Sequence, residues 1–331
     1  MEEQKIEQEN LPKMAICYDF DKTLSPDDMQ AFTLIPSFGI KTETFWNKSN
    51  QRAKDHLMDK NLSWMYELIL QSTYNNGART REYFQSVGAE VPLYDGVEKW
   101  FDRINEYALN RRIKVEHYII SSGLKEIIEG SSIAGNFRRI YASSYLYDQN
   151  GVAIWPAQAI NYTNKTQYIF RIAKGILEEW DERVNESMSA SNLAIPYENI
   201  VYIGDSETDI PCMRLVKNKN GYAIGVFDPN QNQRKKVYQL YNDERIDFYA
   251  PAIYTQGSEL DKYVKQIITE ISAREAMKAA QANLAGPAKA YWMYEQLEGM
   301  LAEPGFVAPK DRKGMRNFQR SLRKEIDGNI D

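Results

Sequence analysis

The chain has 331 residues, 43% of them hydrophobic and 26% charged, so it holds enough apolar material for one large or two ordinary domains. Its net charge of −5 argues against wholesale nucleic-acid binding. The two cysteines, Cys17 and Cys212, form neither a disulfide framework nor a metal-type spacing. The polar N-terminus lacks the layout of a secretory signal, and no apolar run approaches the ~20 residues of a membrane span. We therefore expect a cytoplasmic protein.

The first predicted strand is Met14 to Tyr18, a short and almost wholly apolar segment that is typical of a buried parallel strand. Residues 27 to about 90 follow and are rich in aromatic residues and leucine at helical spacings. An amphipathic helix is predicted there because apolar residues recur at i, i+3, i+4 and i+7, namely Leu62, Met65, Tyr66, Ile69 and Leu70. We therefore predict a helical insertion after the first strand.

Strand and helix alternate from Pro92 onward. The predicted elements are a helix over 97–109, a strand over 115–120, a helix from 124, a hairpin within 140–155, a helix over 167–180 and strands over 200–203, 222–227 and 248–253. Asn150-Gly151 marks the hairpin turn, and Ser121-Ser122-Gly123 is expected to open the helix after the second strand. Such alternation predicts a doubly wound α/β domain with a parallel sheet.

Beyond Gln256 the pattern is helical. Helices are predicted over 260–284 and 289–301, with Gly286-Pro287 separating them and Pro304-Gly305 ending the second. The segment from Lys310 to Lys324 carries seven basic residues and one acid, counted from the printed sequence, and we expect a solvated tail that could touch an anionic partner. The C-terminal helices could also form a homo-oligomer or pack onto the core through Tyr291, Trp292, Tyr294 and Leu297.

Asp19 and Asp21 follow the first predicted strand directly. In extended chain, residues two apart point to the same side, so both carboxylates can face one site at the carboxyl edge of the sheet, where open α/β sheets bind ligands. Neighbouring acids resist joint ionisation unless a cation such as Mg²⁺ neutralises them. Taken alone, this short pattern also fits a strand-end turn with two solvated acids.

A second acidic segment, Gly204 to Asp209, follows another apolar strand. Gly204 permits close approach of the backbone, Asp205 can complete a metal site, and Asp209 lies about one helical turn later. Ser206 taken by itself fits an ordinary helix N-cap. Because the first acidic pair is also present, a metal site shared by the two segments is the better account.

Ser121 and Lys165 are candidates for contact with an anion. The hydroxyl of Ser121 and free N–H groups at a helix start suit an anion site, although such a serine is more often only a cap. Lys165 stands at the start of another predicted helix and could bring a positive charge to a phosphoryl group. A single lysine at such a position is usually solvent-facing.

In this order the four segments resemble the haloacid dehalogenase-like (HAD) superfamily, with DxDxT at Asp19 to Thr23, then Ser121, Lys165 and GDxxxD at Gly204 to Asp209. The resemblance covers roughly residues 13–270 and is greatest to the phosphoserine-phosphatase branch. It implies a Rossmann-like core over 13–26 and 92–272 with a mobile helical cap over 27–91. Residues 273–331 lie outside it as a helical extension with a basic tail.

The resemblance implies a role for each matched residue. Asp19 would be the nucleophile and form an aspartyl-phosphate, and Asp21 would act as general acid and base. Mg²⁺ would be held by Asp19, Asp205 and the backbone carbonyl of Asp21. Thr23 would fix the loop by hydrogen bonding, and Asp209 would orient Lys165 or a metal-bound water. Phosphate or substrate would be bound by Phe20, Asp21, Ser121, Ser122, Gly123 and Lys165.

The sequence thus predicts a magnesium-dependent phosphatase acting on a small phosphorylated metabolite. Asp21 favours ester chemistry, because an alcohol leaving group needs a proton and a halide does not. A phosphotransferase or phosphomutase on the same core remains open, as does a binding module without turnover. Substrate choice is expected in the cap, whose candidate polar contacts are Arg52, His56, Arg79 and Arg81.

Overall fold

The computed structural model describes residues 11–74, 80–205, 207–230, 234–302 and 312–327. Its strands are β1 Lys13–Tyr18, β2 Lys114–Leu124, β3 Phe137–Tyr147, β4 Ala153–Gln158, β5 Ile200–Gly204, β6 Tyr222–Phe227 and β7 Phe248–Pro251. Its α-helices are α1 Met29–Phe32, α2 Leu34–Ser37, α3 Thr42–Asp55, α4 Lys60–Tyr74, α5 Arg81–Gly88, α6 Trp100–Leu109, α7 Lys125–Gly130, α8 Thr166–Lys174, α9 Ile210–Asn218, α10 Arg234–Asn242, α11 Glu259–Ala302 and α12 Arg312–Asp327. Short 3₁₀ turns connect several of them.

The seven strands form one sheet in the order β4-β3-β2-β1-β5-β6-β7. All neighbouring pairs are parallel except β3 and β4, which form the antiparallel hairpin at one edge. The chain builds the sheet outward from β1 on one side and then returns through β5 to build the other. The predicted α/β fold class is therefore confirmed, and the order of strands reverses between β1 and β5.

Strand β1 is buried because helices cover both faces of the sheet. Ala15 and Cys17 belong to a core cluster with Ile169 of α8 and Met213 of α9. On the other face Tyr18 packs edge-on against Phe101 of α6, with ring centroids 5.9 Å apart. An apolar run without alternation is what a strand covered on both faces requires.

The predicted hairpin is confirmed at Asn150-Gly151. Gly151 has φ +74°, a left-handed conformation that costs glycine little. The side chain of Asp148 accepts hydrogen bonds from the N–H groups of Asn150 and Val152, at 2.8 and 2.9 Å. The turn therefore satisfies its own backbone donors and sets the register of β3 against β4.

Two predicted boundaries in the core are wrong. The helix predicted over 167–180 ends at Lys174, because Gly175 takes a left-handed conformation and Ile176 N–H bonds back to the carbonyl of Arg171. Ser121 to Gly123 do not open a helix but belong to β2, which continues to Leu124 because that residue pairs with Ser143 of β3. Helix α7 begins only at Lys125.

The described residues fall into two units, one up to Thr269 and one from Glu270 onward. One C-terminal prediction is wrong. Helix α11 runs through Pro287 without the predicted break at Gly286-Pro287, since proline removes only one helical hydrogen bond and Ala285 and Ala288 on either side of the Gly-Pro pair favour a helix. Residues 312–327 of the basic tail form helix α12, in which Leu322 is buried and most of the other described side chains are exposed. Pro304-Gly305, Ser206 and Arg79 lie outside the described residues.

Because His117 in β2 is buried, we expect the stability of the fold to fall at acid pH. It is 2% exposed, and a chain of hydrogen bonds runs from Trp100 Nε1–H to the Tyr18 hydroxyl and on to His117 Nδ1, while His117 Nε2 bonds Asn105 Oδ1. This arrangement suits neutral imidazole, and burial lowers the pKa of His117 to about 3.

We therefore expect the free energy of unfolding that His117 contributes to be complete above the unfolded-state pKa of about 6.5. It should fall steadily as the pH drops from there toward 3, by about 1.4 kcal/mol per pH unit at most. Denaturant unfolding at a series of pH values measures this slope. His117→Gln should remove the slope, whereas His56→Gln should leave it unchanged because His56 is exposed. Equal slopes in both variants would contradict the assignment.

Candidate active site

The predicted site residues converge where the strand order reverses. Asp19 directly follows β1 and Asp205 directly follows β5, and these two strands are parallel neighbours. Ser121 lies in β2 on the other side of β1, and Lys165 directly precedes α8. A crevice opens at such a reversal because the connections leave in opposite directions, so it is the usual ligand site of an open α/β sheet.

The loop after Asp19 is a tight turn built around the carbonyl of Phe20. That carbonyl accepts hydrogen bonds from the N–H groups of Thr23, Leu24 and Ser25, at 3.3, 2.9 and 3.1 Å. Lys22 adopts a left-handed conformation with φ +58°. The Tyr254 hydroxyl donates to the Thr23 carbonyl at 2.8 Å, while the buried Thr23 hydroxyl makes no hydrogen bond to the described residues. Here the backbone of Thr23, and not its side chain, holds the loop.

Lys165 is the electrostatic centre of the site. Its side chain is fully buried, and its Nζ lies 2.7 Å from Asp209 Oδ1 and 3.2 Å from Asp19 Oδ1. The Tyr202 hydroxyl donates to the same oxygen of Asp209 at 2.7 Å. Burial alone would lower the pKa of Lys165, but the carboxylates of Asp19 and Asp209 outweigh it and raise that pKa. The lysine is therefore a fixed positive charge beside Asp19.

Three carboxylates meet at this point. Asp19, Asp205 and Asp209 each offer an oxygen, and these oxygens lie within 4.8 Å of one another. Burial, then the charge of Asp209, raises the pKa of Asp19 to about 7, and burial with the charges of Asp209 and Asp19 raises that of Asp205. One lysine balances only one of three negative charges. The oxygen donors and the excess charge suit a hard divalent cation such as Mg²⁺.

Asp21 faces the same crevice from the loop. Its Oδ1 accepts a hydrogen bond from the N–H of Met29 at 2.8 Å. Burial, then the charges of Asp28 and Asp19, raises the pKa of Asp21 well above its ordinary value. A carboxyl held in this way carries a proton more readily than a solvated one.

The segment from Ser121 to Gly123 passes close to Asp21. The Ser121 Oγ accepts from the N–H of Gly123 at 3.0 Å, and the Ser122 carbonyl accepts from the Ser143 hydroxyl at 3.1 Å. A Cβ built on Gly123 would lie 2.2 Å from the end of the Met29 side chain and 3.1 Å from Asp21 Oδ2. A side chain at position 123 would therefore require the end of the Met29 side chain to move and would press against Asp21 Oδ2.

Two residues near the site, Tyr202 and Tyr94, were not predicted from the sequence. Tyr202 lies inside the apolar strand β5, where nothing but the alternation of side chains signals that it bonds Asp209. Tyr94 is 7% exposed, and its hydroxyl lies near the carboxylate of Asp228. Burial, then the nearby charges of Asp228 and Asp205, raises the pKa of Tyr94. Both tyrosines would be read as core from sequence alone.

Two of the cap candidates, Arg52 and Arg81, form ion pairs within the chain. Arg52 contacts Glu67 at 2.5 Å, and Arg81 contacts Glu129 at 2.7 Å. His56 is exposed and lines a groove away from the acidic cluster. The contacts described for these side chains give none of them a direct link to Asp19.

A substitution at Gly204 tests how closely the side chains of the site are packed. A Cβ at this position would lie 2.6 Å from Asp209 Oδ2, and Asp209 cannot move aside because Lys165 and Tyr202 hold it. We expect Gly204→Ala to lower kcat by about 100-fold, the scale of an ångström-sized misplacement. Its register partner Gly225 is the matched control, since a Cβ there would meet the flexible end of Ile246 at 2.8 Å and Val237 Cγ1 at 3.3 Å, neither of which belongs to the site. Steady-state kinetics on both variants decide the matter, and equal kcat values would contradict this account.

A family model described as haloacid dehalogenase-like hydrolase matches residues 16–214, which is more than half of the 331-residue chain. This range contains all of the predicted site residues. An uncharacterised protein of Borreliella burgdorferi is 26% identical over an alignment of 287 residues, and the match covers 79% of this chain and 98% of that protein.

Solved structures are similar in fold. A HAD family hydrolase of Salmonella enterica subsp. enterica serovar Typhi is 16% identical with a TM-score of 0.51, over 78% of this chain and 72% of that one. A substrate-bound phosphoserine phosphatase is 14% identical with a TM-score of 0.47, over 77% of this chain and 98% of that one.

Across the described residues, every helix is too short or too polar to cross a bilayer.

Proposed function

The chain belongs to the haloacid dehalogenase-like hydrolases, and we propose that within this family it is a magnesium-dependent phosphatase of a small phosphomonoester. The observation that carries the proposal is the second carboxyl, Asp21, held at the crevice by the Met29 N–H beside the Asp19–Lys165 pair. A hydrolase that expels halide has no use for an acid at this place, whereas an alkoxide leaving group needs a proton.

Asp19 is the proposed nucleophile. Its Oδ1 is held by Lys165 at 3.2 Å and by the N–H of Phe20 at 2.9 Å, so the carboxylate has a fixed orientation. A carboxylate oxygen attacks phosphorus while the bond from phosphorus to the ester oxygen breaks, which gives an aspartyl-phosphate and the alcohol. Water then attacks phosphorus, the bond from phosphorus to Asp19 breaks, and inorganic phosphate and the free Asp19 carboxylate result.

Asp21 supplies and recovers the proton. It protonates the departing ester oxygen in the first half of the reaction, and its carboxylate then accepts a proton from the attacking water in the second. The bond to the Met29 N–H fixes Oδ1, while the close approach of Gly123 brings Oδ2 to the end of β2. One residue can serve both halves because the ester oxygen leaves, and the water later attacks, on the side of phosphorus opposite Asp19.

Lys165 and Ser121 are proposed to hold the phosphoryl oxygens. Lys165 provides a buried, permanent positive charge, and such preorganised charges stabilise the transition state more than solvated ones. Mg²⁺, held by Asp19, Asp205 and the carbonyl of Asp21, would offset the repulsion between an anionic nucleophile and an anionic ester. Asp209 and Tyr202 position Lys165 through their shared hydrogen bonds.

A screen of metabolite phosphate esters with Mg²⁺ tests this function. We expect release of inorganic phosphate from at least one small ester, loss of the release on chelation, and its return when Mg²⁺ is added again. Release of halide from haloacids without release of phosphate would contradict the proposal. Transfer of the phosphoryl group to a second substrate hydroxyl, without free phosphate, would show a phosphotransferase instead.

A further inference from the structure

The loop after strand β7 reaches the turn that carries Asp21. Tyr254 in this loop is fully buried, and its hydroxyl donates to the Thr23 carbonyl at 2.8 Å. The match to the family model ends at residue 214, so this contact comes from a part of the chain that the model does not cover. The proposed chemistry requires a fixed Asp21, two residues before Thr23, and gives Tyr254 no task of its own.

The peptide between Thr23 and Leu24 is held from two sides. Its N–H belongs to Leu24 and donates to the Phe20 carbonyl inside the turn at 2.9 Å. Its carbonyl belongs to Thr23 and accepts from the Tyr254 hydroxyl outside the turn. A buried carbonyl that loses its donor costs free energy, so the peptide keeps the orientation that this hydroxyl gives it. The turn therefore depends on Tyr254 for the bond that closes its outer side.

Tyr254 is itself fixed at each of its polar groups. Its N–H donates to the Asp95 carbonyl at 2.8 Å, and its carbonyl accepts from Arg103 Nη2. Arg103 is held in turn by Asp261, whose Oδ1 accepts from Arg103 Nε at 3.1 Å. The ring packs edge-on against Trp100, with centroids 5.2 Å apart. The hydroxyl therefore has a defined position from which it can hold the turn.

We propose that Tyr254 is a positioning residue for the acid Asp21, a role that rests on the phosphatase function proposed above. Proton transfer to the departing oxygen requires hydrogen-bond distance, and a shift of the turn moves Asp21 away from that distance. Asp19 is less exposed to such a shift, because Lys165 holds its Oδ1 at 3.2 Å from another part of the chain. Loss of the Tyr254 hydroxyl should therefore impair protonation of the leaving group more than nucleophilic attack.

Two esters that differ in their need for a proton test this role. A para-nitrophenolate leaves without a proton, whereas the alkoxide of an alkyl phosphate found in the metabolite screen requires one. We measure kcat/KM, which reports the reaction up to release of the alcohol. We expect Tyr254→Phe to lower it at least about 10-fold for the alkyl phosphate and less than about 3-fold for para-nitrophenyl phosphate.

Tyr141→Phe is the matched control for the loss of a buried tyrosine hydroxyl. Tyr141 is also fully buried, and its hydroxyl also donates to a backbone carbonyl, that of Leu177, at 2.9 Å. This variant should leave kcat/KM unchanged for both esters. Arg103→Gln releases Tyr254 from its other side and should show the same preference for the activated ester. It keeps the role testable if thermal unfolding shows that Tyr254→Phe does not fold.

The Asp21→Asn background separates positioning from general damage to the site. A residue that acts through Asp21 has nothing left to position there, so adding Tyr254→Phe should change single-turnover release of the alcohol from the alkyl phosphate less than about 2-fold. Equal losses for the two esters, or a full further loss in this background, would overturn the positioning role and leave the proposed function standing. A wild-type chain that releases phosphate from neither ester would overturn the proposed function, and this role with it.

Discussion

Asp19→Asn is expected to abolish turnover while leaving the fold intact. Asparagine has the shape of aspartate but cannot attack phosphorus, so kcat should fall by about 10⁶-fold, the scale seen when other enzymic nucleophiles are removed. Stability should not fall, because the substitution removes one of the three clustered carboxylates at Asp19, Asp205 and Asp209. Steady-state kinetics and thermal unfolding of the same preparation measure both quantities.

Asp102→Asn provides the control for that experiment, since Asp102 is an exposed carboxylate on α6. It should keep wild-type kinetics. Turnover by Asp19→Asn within ten-fold of wild type would show that the attacking group is not Asp19, and a different first step would then be needed.

Lys165→Met is expected to lose both stability and activity. The lysine is completely buried and contacts two carboxylates, so its removal leaves negative charge without a partner. Breaking a buried ion pair on one side costs about 3–5 kcal/mol. Loss of the charge beside the phosphoryl group should also lower kcat by about 100- to 1000-fold. Denaturant unfolding and kinetics report the two effects separately.

A double variant separates the structural role of Lys165 from its catalytic role. Lys165→Met combined with Asp209→Asn removes the closest opposite charge, 2.7 Å away, so most of the lost stability should return. Activity should not return, because the positive charge near the ester is still missing. Recovery of activity in the double variant would contradict a direct role for Lys165, and an unchanged stability in the single variant would contradict the ion pair.

Much of the site could be predicted because the ends of buried strands can be recognised in the sequence. Asp19 and Asp205 each follow a short apolar strand, and parallel strands bring their carboxyl ends to one edge, so spacing alone indicated a shared cluster. The hairpin turn could likewise be recognised at Asn150-Gly151, since the turn requires a residue in the left-handed conformation. In both cases a local pattern determines the local geometry.

Other features depend on contacts between distant residues. The fully buried state of Lys165 follows from the positions of Asp19 and Asp209, 146 residues before it and 44 after it by position number. The bond from Tyr202 to Asp209 joins two residues whose sequence patterns indicate only a strand and a helix start. The continuation of β2 through Ser121 depends on pairing with β3, and that of α11 through Pro287 shows that a helix can absorb one lost hydrogen bond.

We propose that the phosphoryl group passes through Asp19. The most direct test mixes the Asp21→Asn variant with a phosphate ester identified by the screen, stops the reaction in acid and maps the phosphoryl group by peptide mass spectrometry. Because Asp21 is proposed to activate the water, its loss should let the intermediate accumulate, and we expect one phosphoryl group on Asp19. Phosphate release by the wild type with no phosphorylated Asp19 in either protein, under any quench time, would contradict the account.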